Sequence, residues 1–213
     1  MNFNIFKNIP AKHIGKAALG LTAAGTIALN MLIVPWEQTH LKPYLDPVGI
    51  PTACSGITGP DITKAFREGR VFTPPECAHM DAKAVALHER GLRAAIDDRV
   101  ESAIPDFTMA AFISWTYNVG NGAAAKSTLV RLINAGKLRE ACDQLPRWVR
   151  ANGVVLAGLE NRRWRGDAQR ISERDMCLIG LDPSHKSPLF ERLYFGYRNW
   201  VDGLARTAQG EDI

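Results

Sequence analysis

Glu37, Asp46 and Thr52 are the residues whose types and spacing are best suited to chemistry. Eight residues separate the glutamate from the aspartate, and five separate the aspartate from the threonine. Two carboxyl groups can divide the roles of general acid and general base, and a threonine hydroxyl can share a water molecule with the aspartate. Hydrolysis of a glycosidic bond needs such a set, because the leaving oxygen is protonated while water attacks.

The flanking residues predict a hairpin next to a helix, which can direct all three side chains into one cleft. Glu37 is expected to open a short helical stretch. Residues 46–49 read Asp-Pro-Val-Gly, the signature of a type I turn, and Thr52 lies on the strand that returns from it. Taken singly, the three are a solvated helix start, a turn residue and a structural strand residue. The chemical interpretation therefore depends on further motifs.

Gly56, Gly59 and Pro60 indicate a loop after the hairpin, and the chain from residue 73 onwards is predicted to be helical. Residues 73–76 read Thr-Pro-Pro-Glu, a capping box with prolines in the first turn, and predict a helix to about Arg99. Thr108 and Ser127 are expected to cap two more helices. Shorter helices and a final apolar helix face are expected near 137–145, 158–170, 172–179 and 186–206.

Several motifs in a fixed order carry a resemblance to a known family. The hairpin reads LKPYLDPVGIPT, residues 112–122 read FISWTYNVGNG, STLVRLIN and ACDQLPRW follow, and residues 158–163 read GLENRR. This set resembles the phage lysozymes of glycoside hydrolase family 24 over about residues 36–180. The resemblance implies an α+β, mainly α, lysozyme-like fold. A small hairpin-containing lobe at about 36–72 would be joined by a long helix to an all-helical lobe.

The resemblance also implies an activity. The enzyme would hydrolyse the β-1,4 bond between N-acetylmuramic acid and N-acetylglucosamine in peptidoglycan, without a cofactor, as an endolysin that releases phage progeny by host lysis. Glu37 would be the acid, and Asp46 and Thr52 would position the attacking water. The alternatives are a lytic transglycosylase, in which only the glutamate matters, and a non-catalytic peptidoglycan-binding protein.

The same resemblance assigns further residues to the cleft. Tyr117 and Asn118 match positions that line the sugar cleft, although helix-end packing would also account for them. Arg162 or Arg163 matches a basic residue that faces the catalytic glutamate, the alternative being a solvated basic face. The chain departs from the family at Ile57, where a histidine is usual.

The N-terminus resembles that of the signal-anchor-release endolysins within this family. Residues 17–34 carry no charge, and Lys7, Lys12 and Lys16 are the only charged residues before Glu37. This asymmetry predicts that the N-terminus stays in the cytoplasm of the host and that the rest is exported to the periplasmic side of the inner membrane. A cleaved signal peptide, a permanent anchor, a reversible anchor and an ordinary buried helix are all open.

The composition of the segment favours the reversible anchor. Only eight of its eighteen side chains are strongly apolar, so the gain from lying in lipid is modest. We therefore expect an anchor at 1–34, a catalytic domain at 35–182 and a helical extension at 183–213. After release the protein would be soluble in the periplasm. Because Glu37 follows Val34 after only two residues, an anchored chain would hold Glu37 at the membrane surface.

The four cysteines and the remaining charge complete the expectations. Disulfides are plausible in an exported chain, and the favoured pairing joins residues within each half of the chain; small buried thiols are the alternative.

The net charge of +4 is concentrated at the N-terminus, so nothing demands nucleic acid. The five scattered histidines suggest no metal site. We expect a monomer. The favoured pairs are Cys54–Cys77 and Cys142–Cys177.

Overall fold

The computed structural model of the chain describes residues 21–46, 48–151, 153–182, 184–185, 187 and 189–190. Its architecture is the expected one: a small lobe with an antiparallel sheet is joined by a long helix to a helical lobe. The strands are β1 (His40–Leu45), β2 (Pro51–Cys54), β3 (Ile57–Thr58), β4 (Arg150–Ala151) and β5 (Val154–Val155). The α-helices are α1 (Ala23–Ile27), α2 (Val34–Glu37), α3 (Pro60–Glu68), α4 (Pro74–Arg93), α5 (Asp98–Glu101), α6 (Asp106–Val119), α7 (Asn121–Ala125), α8 (Thr128–Asn134), α9 (Leu138–Cys142), α10 (Ala157–Glu160) and α11 (Glu173–Leu181).

The hairpin is part of a three-stranded sheet in the order β1-β2-β3. Tyr44 pairs with Thr52, and the register shifts between His40 and Tyr44. An irregularity there is expected because Pro43 lies in β1 and has no N–H for the ladder. The sheet brings Asp46 and Thr52 to neighbouring positions at one end of the hairpin.

Helix α6 lies at the centre of the main core. Nine consecutive residues from Thr108 to Thr116 are buried, as expected for a helix that is apolar on all sides. It packs against α1, α4 and α11. The approach to α11 is close, because a Cβ on Gly180 would overlap the side chain of Thr108.

The described part of the predicted anchor is a helix buried in this core. Helix α1, a π-helical stretch (Ala28–Ile33) and α2 follow one another without a break, and their apolar side chains join the main core cluster. Asn30, the polar residue of the stretch, is buried and donates its side-chain N–H to the Thr26 carbonyl. None of the described helices has both the length and the apolarity required to span a bilayer.

Polar contacts hold the start of this helix. The Thr22 hydroxyl accepts from the Gly25 N–H and donates to the buried Glu89 of α4, at 2.5 Å. Glu89 also accepts from Arg93, which in turn contacts Glu101. Gly25 permits this close approach, since a Cβ there would overlap the Glu89 carboxylate.

Several predicted boundaries were wrong for physical reasons. Glu37 closes a helix rather than opening one, since Gln38 adopts a positive φ of 60°. Helix α4 ends at Arg93 instead of Arg99, because Asp97 caps the separate helix α5. Thr108 lies inside α6 and donates to the Cys177 carbonyl instead of capping.

Other elements were missed or fall outside the described residues. Helix α3 was not predicted, although Pro60 at its start and the left-handed Gly69 at its end are typical helix boundaries. The caps at Thr73 and Ser127 are as predicted. Most of the expected helix at 186–206 lies outside the described residues; of its apolar side chains, Leu189 and Phe190 pack against the main core.

Gly25→Ala tests the docking of the N-terminal helix. The added methyl group must displace the Glu89 carboxylate, so we expect the soluble protein to lose about 1–3 kcal/mol of unfolding free energy, as overpacked sites do. For a protein of this size, each kcal/mol lowers Tm by roughly 2–4 °C in thermal unfolding. Gly122→Ala is the matched control, because nothing surrounds its Cβ position. Equal Tm values for the two variants would contradict close docking.

Candidate active site

Glu37 lies where the N-terminal helix meets the sheet. It is the last residue of α2, and its side chain is about one quarter exposed. Trp36, just before it, donates its indole N–H to the Ile171 carbonyl at 3.0 Å, and Arg170 stacks on its ring. The junction between the N-terminal helix and Glu37 is therefore fixed against the helical lobe.

Arg162 is the cation that faces Glu37. Its Nη1 contacts Glu37 Oε1, while its Nε donates to Glu173 Oε1 at 2.9 Å. Burial alone would lower the pKa of Arg162, but the charges of Glu173 and Glu37 outweigh burial and raise it. Arg162 rather than Arg163 contacts Glu37, and both arginines are buried rather than solvated.

Glu173 is the fully buried centre of this ion network. Its Oε2 accepts from Arg163 Nη1 at 2.5 Å, and its Oε1 accepts from the Ser114 hydroxyl at 2.8 Å. Two arginines and two glutamates thus form a chain of contacts that runs from the core to Glu37. Glu173 was not predicted, because a glutamate directly after a serine cap is typical of an ordinary helix start.

Asp46 and Thr52 are linked through one residue of the hairpin. Asp46 Oδ1 accepts from the N–H groups of Val48 and Ile50, at 2.9 and 2.8 Å. Thr52 is buried and donates its hydroxyl to the Ile50 carbonyl at 3.0 Å. These contacts fix both side chains at the same end of the sheet. Asp46 Oδ2 makes no hydrogen bond to a described residue.

Glu37 approaches this sheet at the turn between β2 and β3. A Cβ built on Gly56 would lie 3.8 Å from Glu37 Oε2, so the backbone of the turn borders the carboxylate. Glu37 therefore has Arg162 on one carboxylate oxygen and the sheet turn beside the other. The structure brings the predicted acid to the sheet that carries Asp46 and Thr52.

Tyr117 and Asn118 lie at the end of α6, and Tyr117 contacts the same turn. The Tyr117 hydroxyl donates to the Ser55 carbonyl at 2.6 Å. Burial, with the negative charges of Asp81 and Glu37, raises the pKa of Tyr117, so its hydroxyl stays protonated. The Asn118 Oδ1 accepts from Arg163, while the residue is otherwise exposed. Both side chains thus have structural contacts at the border of the site.

Two disulfides stabilise the two lobes. Cys54 is bonded to Cys77 and Cys142 to Cys177, the pairing that the sequence favoured. The first joins the sheet to α4, and the second joins α9 to α11. No group of side chains suited to a metal ion occurs among the residues that the structure describes.

The sheet lobe, the helical lobe and a glutamate between them define a lysozyme-like glycosidase. Among solved structures, the active form of P1 phage endolysin Lyz matches with a TM-score of 0.62 at 25% identity, over 82% of this chain and 94% of that one. The family model described as phage lysozyme matches residues 34–165.

Related sequences agree with this class. The SAR-endolysin of Bacteriophage PS119 is 39% identical over 77% of this chain and 93% of its own length. The SAR-endolysin of Enterobacteria phage PA-2 is 35% identical over 78% of this chain and 95% of its own length. The chain belongs to the phage lysozyme family. It is accordingly an endolysin, a glycosidase of the muramidase type.

Glu173→Gln tests whether the ion network stabilises the site. It leaves two buried arginines with one carboxylate fewer, so we expect a loss of about 3–5 kcal/mol in unfolding free energy. Asp143→Asn is the control, because it removes an exposed partner of Arg174, where about 1 kcal/mol or less is expected. Denaturant unfolding measures both. A loss no larger than that of the control would show that the network does not stabilise the fold.

Proposed function

We propose that Glu37 is the general acid that cleaves the β-1,4 bond between N-acetylmuramic acid and N-acetylglucosamine. The observation that carries this role is its position: a partly exposed carboxyl group borders the sheet turn on one side and a buried guanidinium on the other. In the reaction, protonated Glu37 gives its proton to the glycosidic oxygen as the bond to C1 breaks. Arg162 then faces the carboxylate that remains.

Asp46 and Thr52 would direct the water that completes the reaction. Asp46 Oδ2 has no protein partner among the described residues and can accept a proton from water, while Oδ1 is held by the turn. The Thr52 hydroxyl donates to Ile50, and its lone pairs can accept from the same water. Attack at C1 yields a reducing muramic acid end, and the proton lost by the water passes to Asp46. Proton exchange with solvent then returns a proton to Glu37 and removes the proton from Asp46.

The sugar would lie against the exposed end of α6. Asn118 keeps its amide N–H groups available beside the cleft, which suits the carbonyl of an N-acetyl group. Tyr117, whose hydroxyl is engaged by Ser55, offers its ring. We further propose that the enzyme acts as a monomer on peptidoglycan, without nucleic acid.

Glu37→Gln tests the acid directly. The amide cannot donate the required proton, so we expect the release of fragments from purified peptidoglycan to fall by 10²–10⁴-fold, the usual contribution of a general acid. Mass spectrometry of the fragments from the full-length soluble protein should show reducing muramic acid ends. Glu68→Gln is the control, since that glutamate is exposed on α3.

Variants of the hairpin residues distinguish hydrolysis from the reaction of a lytic transglycosylase. Asp46→Asn and Thr52→Ala should each slow fragment release strongly, because water attack needs both groups. If anhydro ends appear and both variants stay active, water attack at this hairpin is wrong. If Glu37→Gln stays active, the assignment of the acid is wrong.

We infer that residues 17–34 anchor the chain in the inner membrane before they join the fold. The N-terminus would stay in the cytoplasm and the enzyme on the periplasmic side, later soluble there. Two features support this: the uncharged stretch follows a lysine-bearing flank, and relatives carry the name SAR-endolysin. We retain 1–34, 35–182 and 183–213 as the proposed segments.

Packing explains how anchoring would suppress activity. The apolar side chains within residues 24–33 fill the core around α6, and Glu37 ends the same continuous helix. While these residues lie in lipid, the core lacks its N-terminal helix, and the carboxylate of Glu37 cannot reach Arg162. Release would complete the core and the ion network in one step.

Ala23→Leu with Thr26→Leu tests this regulation. Both side chains are at least partly exposed in the described fold, so leucine raises the apolarity of the segment without overfilling the core. We expect more protein in the membrane fraction and a delay of lysis during expression in a bacterial host. Ala23→Ser with Thr26→Ser is the matched control. Lysis at the normal time by the leucine variant would contradict reversible anchoring.

A further inference from the structure

Asp81 is a buried carboxylate that the reaction described above does not use. It lies on α4 and is only 3% exposed. Its Oδ1 accepts from the Ser55 N–H at 3.1 Å, and its Oδ2 accepts from the Ser55 hydroxyl at 2.9 Å. No lysine, arginine or histidine of the described residues forms an ion pair with it. A buried carboxylate held only by neutral donors is costly, so it calls for a functional explanation.

The turn that Asp81 holds has an unusual backbone. Cys54 and Gly56, on either side of Ser55, have positive φ values of 52° and 87°. Such a conformation is uncommon for a residue with a side chain and needs support from its surroundings. The Cys54–Cys77 disulfide ties the same turn to α4, one helical turn before Asp81. Helix α4 therefore holds the turn at two adjacent points, by the disulfide at Cys77 and by the hydrogen bonds to Asp81.

This turn separates Asp81 from the catalytic cleft. Gly56 borders the Glu37 carboxylate, and the Ser55 carbonyl accepts from Tyr117. One residue, Ser55, thus connects the buried carboxylate to both sides of the site. A shift of the turn would therefore move Gly56, which borders Glu37, and the ring of Tyr117 together.

The carboxyl group of Asp81 ionises closer to neutral pH than an ordinary aspartate does. Burial raises the pKa of Asp81 to about 6; the two Ser55 hydrogen bonds work to lower it, and the negative charge of Glu37 raises it further. The titratable groups that face it are Glu37 from α2 and Tyr117 from α6, with Arg162 beyond Glu37. Tyr117 stays neutral, because burial and the neighbouring negative charges raise its pKa, so the charge that Asp81 gains is not shared with the tyrosine.

We propose that Asp81 is a positioning residue: its ionised carboxylate holds Ser55 so that the Cys54–Gly56 turn stays against Glu37 and Tyr117. The proposal rests on the role of Glu37 as the acid. A carboxylate accepts hydrogen bonds more strongly than a neutral carboxyl group, so the turn is held best when Asp81 is ionised. Activity should then rise with pH as Asp81 loses its proton.

Asp81→Asn removes the charge and the titration while it keeps the shape of the side chain. On a soluble peptidoglycan oligosaccharide, we expect kcat at pH 7.5 to fall by roughly tenfold with little change in KM, below the 100-fold that a 1 Å misplacement can cost. The acid limb near pH 6 in the kcat/KM profile should disappear. Asp61→Asn, an exposed aspartate on α3, is the control and should keep both.

Thermal unfolding separates positioning from a purely structural role. Because the pKa of Asp81 is higher in the folded than in the unfolded state, its ionisation lowers the free energy of unfolding above about pH 6. That penalty fades as the pH falls towards the ordinary aspartate range. We expect Asp81→Asn to have a higher Tm than the wild type at pH 7.5, and an advantage that shrinks at pH 4. A merely structural carboxylate would give a lower Tm at both.

Two further measurements keep the proposal testable if Asp81→Asn does not fold. Ser55→Ala keeps the carboxylate but removes one of its donors, and should lower kcat about threefold while the acid limb remains, as a lost neutral hydrogen bond would. The carboxyl carbon of Asp81, followed by NMR in the wild type, should titrate near pH 6. An unchanged kcat in either variant, or titration at the ordinary aspartate value, would overturn the role of Asp81. Activity of Glu37→Gln would instead overturn the proposed function.

Discussion

The contact between Glu37 and Arg162 is the interaction on which the rest of the structure depends. Arg162 is buried and is itself held by Glu173, so Glu37 is the exposed end of a chain of charges that begins in the core. A buried cation that loses a partner costs several kcal/mol. The site and the core therefore stabilise each other. The proposed acid is placed by the same contacts that satisfy the interior charges.

That contact also links the site to the N-terminal helix. Glu37 is the last residue of the helix whose earlier side chains fill the core, so its place at Arg162 requires that the helix has docked. Three alanines and one glycine within residues 23–28 let the start of this helix approach α4 and α6 closely. The same residues give little apolar area for lipid. One composition thus suits both close packing in the protein and a weak hold in a membrane.

Local signals predicted much of the fold, and long-range contacts explain what they missed. The capping box at Thr73 and the hairpin turn are short-range patterns, and both appear where the sequence placed them. Thr108 looked like a cap, but its hydroxyl bonds to Cys177 on another helix. The partnership of Glu173 with Arg162 and Ser114 joins residues on different helices, so no spacing rule reveals it. The site residues came from a family resemblance, whereas their supporting partners required the structure.

The two carboxylates beside the Cys54–Gly56 turn show how one small site can give two groups different tasks. Glu37 faces a guanidinium and solvent, whereas Asp81 faces only neutral donors and is sealed from water. Burial among neutral donors raises the pKa of Asp81. Replacing Asp81 by an apolar residue would leave the Ser55 N–H and hydroxyl unsatisfied in the interior. The buried charge lowers stability at neutral pH and in return provides a strong acceptor for a turn with an unfavourable backbone, which is the compromise expected where the position of a catalytic group matters more than the stability of the fold.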